Sequence, residues 1–344
     1  MFGSPNPAAI KTGLNSSCRK TAGSPRALGE RMPYSLEDRL VIGLASSALF
    51  DLSESDAVFR QEGEEAYRAY QELHLDDRLN PGVAFPFVQR LLSLNDLSEP
   101  DDPLIEVIIL SRNDPDTGLR VMNSIEAYGL PITRAIFMQG KSPYKFMSAL
   151  NMSLFLSANE KDVREAVAAN LPAGRVLDST YVDDPADRDL RIAFDFDGVI
   201  ADDGSEQVFQ AGGIEQFRQH ETVNAATPHD PGLLRDFLSN RNKIQRIEEE
   251  RRRTDSSYKR RVHASIVTAR NAPAHRRAVA TLKAWGVTVN DAFFLGGIDK
   301  SLITNVLKPH IFFDDQTDHL ERTAPMTPSV HVPFGAVNVT QAQP

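Results

Sequence analysis

The five residues Asp195-Phe196-Asp197-Gly198-Val199 carry the most chemical content in this chain. Two acids stand two residues apart after an apolar run, Leu190 to Phe194, that reads as a short buried strand, and the chain turns at a glycine. Neighbouring carboxylates repel, and burial raises the pKa of each. A cation relieves both costs. Magnesium takes oxygen ligands and keeps positions open for a substrate phosphate. A carboxylate can also attack phosphorus and form an aspartyl-phosphate. The first acid is therefore a candidate nucleophile and the second a candidate proton donor. A calcium loop or an ordinary strand–turn–helix junction could carry the same residues.

Three later segments favour the chemical reading. Ser265-Ile266-Val267-Thr268-Ala269-Arg270 is an apolar run ending in a hydroxyl. Lys300 follows the strand-like Ala292 to Leu295 and Gly296-Gly297. His310-Ile311-Phe312-Phe313-Asp314-Asp315 ends in paired acids. Open α/β sheets bind ligands at the carboxyl ends of their strands. Nucleophile, hydroxyl, lysine and paired acids would then meet in one crevice. Each position also has a plainer role. Thr268 can cap a helix, Lys300 can be a surface lysine, and Asp315 can be an N-cap. Arg270 and Asn271 either line the pocket or start a helix. His220, His229, His263, His275 and His310 lack metal-ligand spacing and read as structural or surface residues.

In this order the four segments resemble the haloacid dehalogenase superfamily of phosphotransferases. The resemblance implies that Asp195 is the nucleophile, Asp197 the acid/base, Thr268 the phosphate-binding hydroxyl and Lys300 the charge-neutralising lysine. It implies Mg2+ bound by Asp195, Asp197 (through its backbone carbonyl), Asp314 and Asp315. Phosphate contacts would come from Thr268, Lys300 and the backbone near Phe196, Gly198 and Ala269, with Arg270 beside them. A narrower resemblance covers about residues 38 to 337. Ile42 to Phe50, Pro81 to Phe87 and Pro309 to Gln316 are similar to the type I cytosolic 5′-nucleotidases. This resemblance implies a magnesium-dependent, cytoplasmic enzyme that hydrolyses nucleoside 5′-monophosphates, typically AMP. Animal members carry other small residues between and after the first acids, which leaves the chemistry intact. Ser111-Arg112-Asn113-Asp114 replaces their Asn-rich turn and leaves nucleotide preference open. A phosphatase for a small sugar or metabolite phosphate is the alternative enzyme. A non-catalytic nucleotide sensor or scaffold is the alternative of another class.

The elements that must position these residues alternate. Strand-like runs at Leu40 to Leu44, Ile105 to Leu110 and Ala135 to Met138 are separated by helical stretches at Ser55 to Leu73, Phe85 to Leu94 and Gly118 to Tyr128. The same order follows Asp195. Such alternation indicates an α/β fold with a parallel, helix-covered sheet. With the resemblance, it implies a Rossmann-like haloacid dehalogenase fold.

The two halves also align. At an offset of 157 residues Arg120 meets Arg277, Gly129 meets Gly286, Ala135 meets Ala292, Phe137 meets Phe294 and Phe155 meets Phe312. Upstream, Ile42 to Leu49 lies on Ile192 to Val199 at an offset of 150. Parallel α/β folds repeat such patterns without duplication; the ungapped identities favour two related units. Ala45, Ser47, Ser111, Pro143, Ser157 and Ala158 stand opposite Asp195, Asp197, Thr268, Lys300, Asp314 and Asp315. The first unit is therefore expected to be degenerate. It is left to support the sheet, form a homo-oligomer or wall the nucleotide pocket. Ser47 and Asn113 are its expected substrate contacts. The expected domains are a disordered tail at 1–35, the degenerate unit at 36–185, the acid-bearing unit at 186–337 and a tail at 338–344. Within the second unit, about 203–258 reads as two helices, and the resemblance makes this insertion a small cap over the site. Phe209 and Phe217 there could stack on a base or fill a core. Glu248 to Arg253, three acids then three arginines, reads as a solvated helix face.

Composition sets outer bounds. At 344 residues, with 41% hydrophobic residues, the chain can build one large or two ordinary domains. A net charge of −9 argues against a protein that coats nucleic acid. It does not exclude a nucleotide, because a lysine and magnesium can oppose the global sign locally. The lone Cys18 permits no intramolecular disulfide and fits a reducing compartment. No apolar run is long enough to span a membrane. Residues 1–35 are basic and rich in Ser, Pro, Gly and Ala, as a transit peptide would be. Pro5, Pro7, Pro25 and Pro33 interrupt any amphipathic helix and favour a disordered tail.

Overall fold

Ten strands form one sheet in the computed structural model, which describes residues 34–340. The expected tails at 1–35 and 338–344 lie outside these residues except at their inner ends. In the first half the strands are β1 (Leu40–Leu44), β2 (Ile105–Ser111), β3 (Arg134–Phe137), β4 (Met152–Ser157) and β5 (Ala173–Val176). In the second they are β6 (Leu190–Phe194), β7 (Val262–Thr268), β8 (Asp291–Phe294), β9 (Ile311–Asp314) and β10 (Ser329–His331). The central strands are largely apolar because helices cover both faces. Every residue of β1, β2, β4 and β9 is buried.

The strand order is β3-β2-β1-β4-β5-β10-β9-β6-β7-β8. Within each half all neighbours are parallel, and the two halves repeat one topology. Their registers repeat as well. Ile109 pairs with Ala135 as Ile266 pairs with Ala292, and Leu40 pairs with Ile105 as Leu190 pairs with Val262. The ladders thus carry the sequence offsets of 157 and 150. The helices keep the pattern. Gly129 (φ 66°) and Gly286 (φ 64°) adopt the left-handed conformation just after the helices Pro115–Ala127 and His275–Ala284. Glycine reaches that conformation without steric cost.

The seam differs from expectation. Strands β5 and β10 pair antiparallel, with Val330 opposite Val176 and His331 opposite Arg175. The halves therefore run in opposite directions, and their strands' carboxyl ends lie on opposite edges of the sheet. The sheet is mainly parallel rather than wholly so.

The helical segment after β6 is not an insertion peculiar to the second half. Helices Ser53–Glu62 and Glu64–Leu73, broken at Gly63, match the helix Gly204–Val223, kinked at Gly213. Helix Phe85–Ser93 likewise matches the longer Arg235–Thr254. The first packs on β6 and the second on β1 and β4, so each half's helix covers strands of the other. Phe194 and Phe313 stack at 5.2 Å beneath Phe237. Burying each such ring contributes roughly 1.5–3 kcal/mol.

Glu248 departs from the solvated-face reading of its charge run. It is fully buried and accepts hydrogen bonds from Tyr258 Oη (2.9 Å) and Arg261 N (2.7 Å), where the chain enters β7. Among the described residues, no helix is long and apolar enough to cross a membrane.

Candidate active site

Adjacent parallel strands β7-β6-β9 bring the expected residues to one edge. Asp195 follows β6, Thr268 ends β7, Asp314 ends β9 and Asp315 follows it. Lys300 opens the helix Lys300–Leu307 and reaches between two acids. Its Nζ lies 2.8 Å from Asp195 Oδ2 and 2.7 Å from Asp314 Oδ2. All three side chains are buried. The other Asp195 oxygen, Oδ1, accepts from the Phe196 amide at 2.7 Å.

Burial sets the electrostatics. It pushes Asp195 up to about 6, with Asp314 and Asp197 adding to the shift and Lys300 opposing it. Asp315 rises well above the usual carboxylate range through burial and the charges of Asp314 and Asp195. Burial works against ionised Asp314 as well, but Lys300 and His319 overcome it and hold that acid low. For Lys300 the penalty of burial is outweighed by Asp195 and Asp314, so its pKa is raised. One lysine thus faces three buried acids. Asp315 Oδ1 is buried with no hydrogen-bond partner among the described residues. The oxygen donor set and this spare oxygen fit a hard cation.

Gly198 is required by the turn. Its φ is 70°, and a Cβ there would collide with the Asp315 carboxylate. Asp315 is itself fixed from behind, its carbonyl accepting from Asn338 Nδ2 at 2.9 Å.

Asp197 is held by Arg270. Arg270 Nε and Nη2 donate to its two oxygens at 2.7 and 2.6 Å. Arg270 Nη1 bonds Glu221, and His229 Nε2 lies 3.0 Å from Nη2. The guanidinium expected to touch substrate is therefore fully engaged by protein groups. Thr268 Oγ1 accepts from the Arg270 amide at 3.2 Å, and Ala269 is exposed at the rim.

Ser47 and Asn113 do not join this cluster. They follow β1 and β2 at the opposite edge of the sheet, because the antiparallel seam reverses the first half. Ser47 Oγ accepts from the Ala158 amide (3.4 Å), and Asn113 Nδ2 donates to Thr117 O (3.4 Å). The expectation that they contact the same substrate is corrected by that reversal.

His319, Glu221 and His229 were not legible as site residues. His319 Nδ1 lies 3.4 Å from Asp314 Oδ2, and Asp195, Asp314 and His319 offer atoms within 4.8 Å of one another. A lone histidine five residues past an acid carries no distinctive spacing. Glu221 had one usable signal, since it falls opposite Gln71 at the offset of 150.

Comparison with known proteins adds two findings. Residues 32–339 match the family model described as 5′-nucleotidase. Over 297 residues the chain is 32% identical to the human protein named cytosolic 5′-nucleotidase 1B, covering 84% of this chain and 48% of that protein. The chain thus spans about half the length of that relative. No solved structure matches.

Proposed function

Because the chain belongs to the 5′-nucleotidase family, we propose that it hydrolyses nucleoside 5′-monophosphates, AMP-like ones among them, to nucleoside and phosphate. The observation that carries the proposal is Lys300 bridging Asp195 and Asp314 at the carboxyl ends of β6 and β9. That lysine neutralises part of an acid cluster that has one spare oxygen.

Asp195 is the nucleophile. Lys300 and the Phe196 amide orient its carboxylate, and burial strips it of water. A bond forms from an Asp195 oxygen to phosphorus as the bond to the ribose O5′ breaks. Asp197 gives the departing oxygen its proton. Asp197 then takes a proton from water, which attacks the aspartyl-phosphate, releases phosphate and restores Asp195. Acid–base help of this kind contributes ~10²–10⁴-fold. Thr268 and the backbone at Gly198 hold phosphate oxygens, and the Phe196 amide joins them when it exchanges Asp195 Oδ1 for the phosphate. Asp195, Asp314, Asp315 and the Asp197 carbonyl would hold Mg2+, which supplies charge neutralisation at the phosphate. The acid-bearing half is read as a haloacid dehalogenase-type unit, with the helix Gly204–Val223 as its cap; the helix Arg235–Thr254, expected in the cap, instead covers strands of the first half. The first half is read as its degenerate counterpart, supplying architecture.

The experiment is phosphate release from a panel of nucleotides and sugar phosphates, with magnesium or with excess EDTA. Release from nucleoside monophosphates, lost in EDTA, is expected. Activity on sugar phosphates alone would replace the substrate class, and equal turnover in EDTA would remove the metal.

A further inference from the structure

Arg270 is clamped from two sides. The turn after β6 offers a carboxylate and a ring, Asp197 and Phe196. The helix Gly204–Val223 offers the same pair, Glu221 and Phe217. The guanidinium lies 5.2 Å from the Phe196 ring centre and 5.6 Å from that of Phe217. It bonds both acids, and Glu221 is wholly buried. Ser205 Oγ, from the start of the same helix, donates to Glu221 Oε1 at 2.7 Å.

The chain carries its own control for what this arrangement does. Arg277 Nε donates to Thr227 O at 2.9 Å, and its Nη1 donates to Glu221 at 2.9 Å. In the first half, Arg120 Nε donates to Asp77 O at 3.0 Å, and its Nη1 donates to Gln71 at 3.3 Å. The three positions correspond, Arg120 with Arg277 at the offset of 157 and Asp77 with Thr227 and Gln71 with Glu221 at 150. This pair of contacts survives where the acids are gone, and a neutral glutamine suffices for it. It is the structural part of the network. The rest is absent from the first half. Asn113 replaces Arg270, Gln71 replaces Glu221, Leu79 replaces His229 and Ser47 replaces Asp197. The charge on Glu221 and the guanidinium of Arg270 are therefore present where Asp197 is present, and missing where it is missing.

We infer that Arg270 is a positioning residue, a strut through which Glu221 of the helix Gly204–Val223 fixes the carboxylate of Asp197. It acts through Asp197 and does not bind substrate. The bidentate fork fixes both oxygens of Asp197 in one plane, which a point charge would not do. The helix must sit in place for Glu221 and Phe217 to hold the guanidinium, so seating of that helix and orientation of the acid/base group are one event. The inference rests on the proposed hydrolysis, and wild-type phosphate release is the control that tests that reading separately.

The test copies the first half's solution into the second. Removing Arg270 alone would leave the buried Glu221 with Arg277 and Ser205 on Oε1 but without the guanidinium on Oε2, and breaking one partner out of a buried ion-pair network is destabilising. The double variant Arg270→Asn with Glu221→Gln removes one charge of each sign and keeps an acceptor for Arg277. Asp197, left behind, is 15% exposed and can be solvated. With AMP and magnesium, the double variant is expected to unfold cooperatively, to keep KM within about threefold, and to lose about 10²-fold in kcat, the lower end of an acid–base contribution. Glu221→Gln alone is expected to lose about tenfold in kcat at unchanged KM. A folded double variant with kcat within about threefold of wild type would overturn the strut. A tenfold rise in KM at unchanged kcat would also overturn it, by making Arg270 a substrate contact. Should the double variant fail to fold, Glu221→Gln decides alone: unchanged kcat refutes the inference and a kcat-only loss supports it.

Discussion

Acidification should weaken this fold through His310, and the size of the effect follows from its surroundings. His310 is fully buried at the entrance to β9. Its Nδ1 accepts the Arg191 amide at 3.0 Å, and its own amide donates to Arg191 O at 2.8 Å. These bonds set β9 against β6 in the register that places Asp314 beside Asp195. Burial, then the cations of Arg90 and Arg191, push the imidazole down from 6.5 to about 3. The folded form stays neutral while the unfolded chain takes up a proton below about 6.5. More protons bind the unfolded state as pH falls, so stability is lost downward from about pH 6.5 until the folded pKa is reached. At pH 5 the unfolded group is about 1.5 units below its midpoint, and at 1.36 kcal/mol per unit the loss is about 2 kcal/mol. Urea unfolding at about pH 7 and about pH 5 measures it. His310→Asn keeps an acceptor for Arg191 and cannot titrate. The wild type should lose about 2 kcal/mol more than this variant between the two conditions. Equal acid losses in both proteins would refute the reasoning.

Other perturbations separate the parts of the site. Gly198→Ala forces a left-handed alanine, at roughly 1–2 kcal/mol, and pushes a methyl into Asp315; kcat should fall at least about tenfold in steady-state assays. Lys300→Met leaves Asp195 and Asp314 without the cation they share. It should lower metal-free stability by about 3–5 kcal/mol in denaturant titrations and remove turnover. Ser47→Ala and Asn113→Ala lie on the opposite edge of the sheet, so neither should change KM or kcat for AMP by more than about twofold.

Much of the arrangement was legible because apolar runs in a parallel sheet are continuous. Leu190 to Phe194 is β6 residue for residue, and its acids, Lys300 and the pair after β9 converge as the motif order implied. The internal alignment was legible too, because ladder register preserves sequence offset. The seam was not. Strands β5 and β10 have four and three residues, too short to show periodicity, and nothing in them encodes an antiparallel pairing. Placing Ser47 and Asn113 at the wrong edge followed from that single omission. The network of Glu221, His229 and Arg270 escaped for another reason. Its members are spread over 49 positions of chain separation, between Arg270 and Glu221, and meet only when the helix Gly204–Val223 folds back. Glu248 was misread because a charge run looks solvated whether or not one member turns inward.

The most direct measurement is phosphate release from AMP by the wild type and by Asp195→Asn, each in magnesium and in EDTA, with unfolding followed on the same samples. The wild type should turn over in magnesium alone. Asp195→Asn should unfold as cooperatively as the wild type and retain less than about a tenth of its rate, a barrier difference above roughly 1.4 kcal/mol. A folded Asp195→Asn protein that keeps more than that would contradict the assignment of Asp195 as nucleophile.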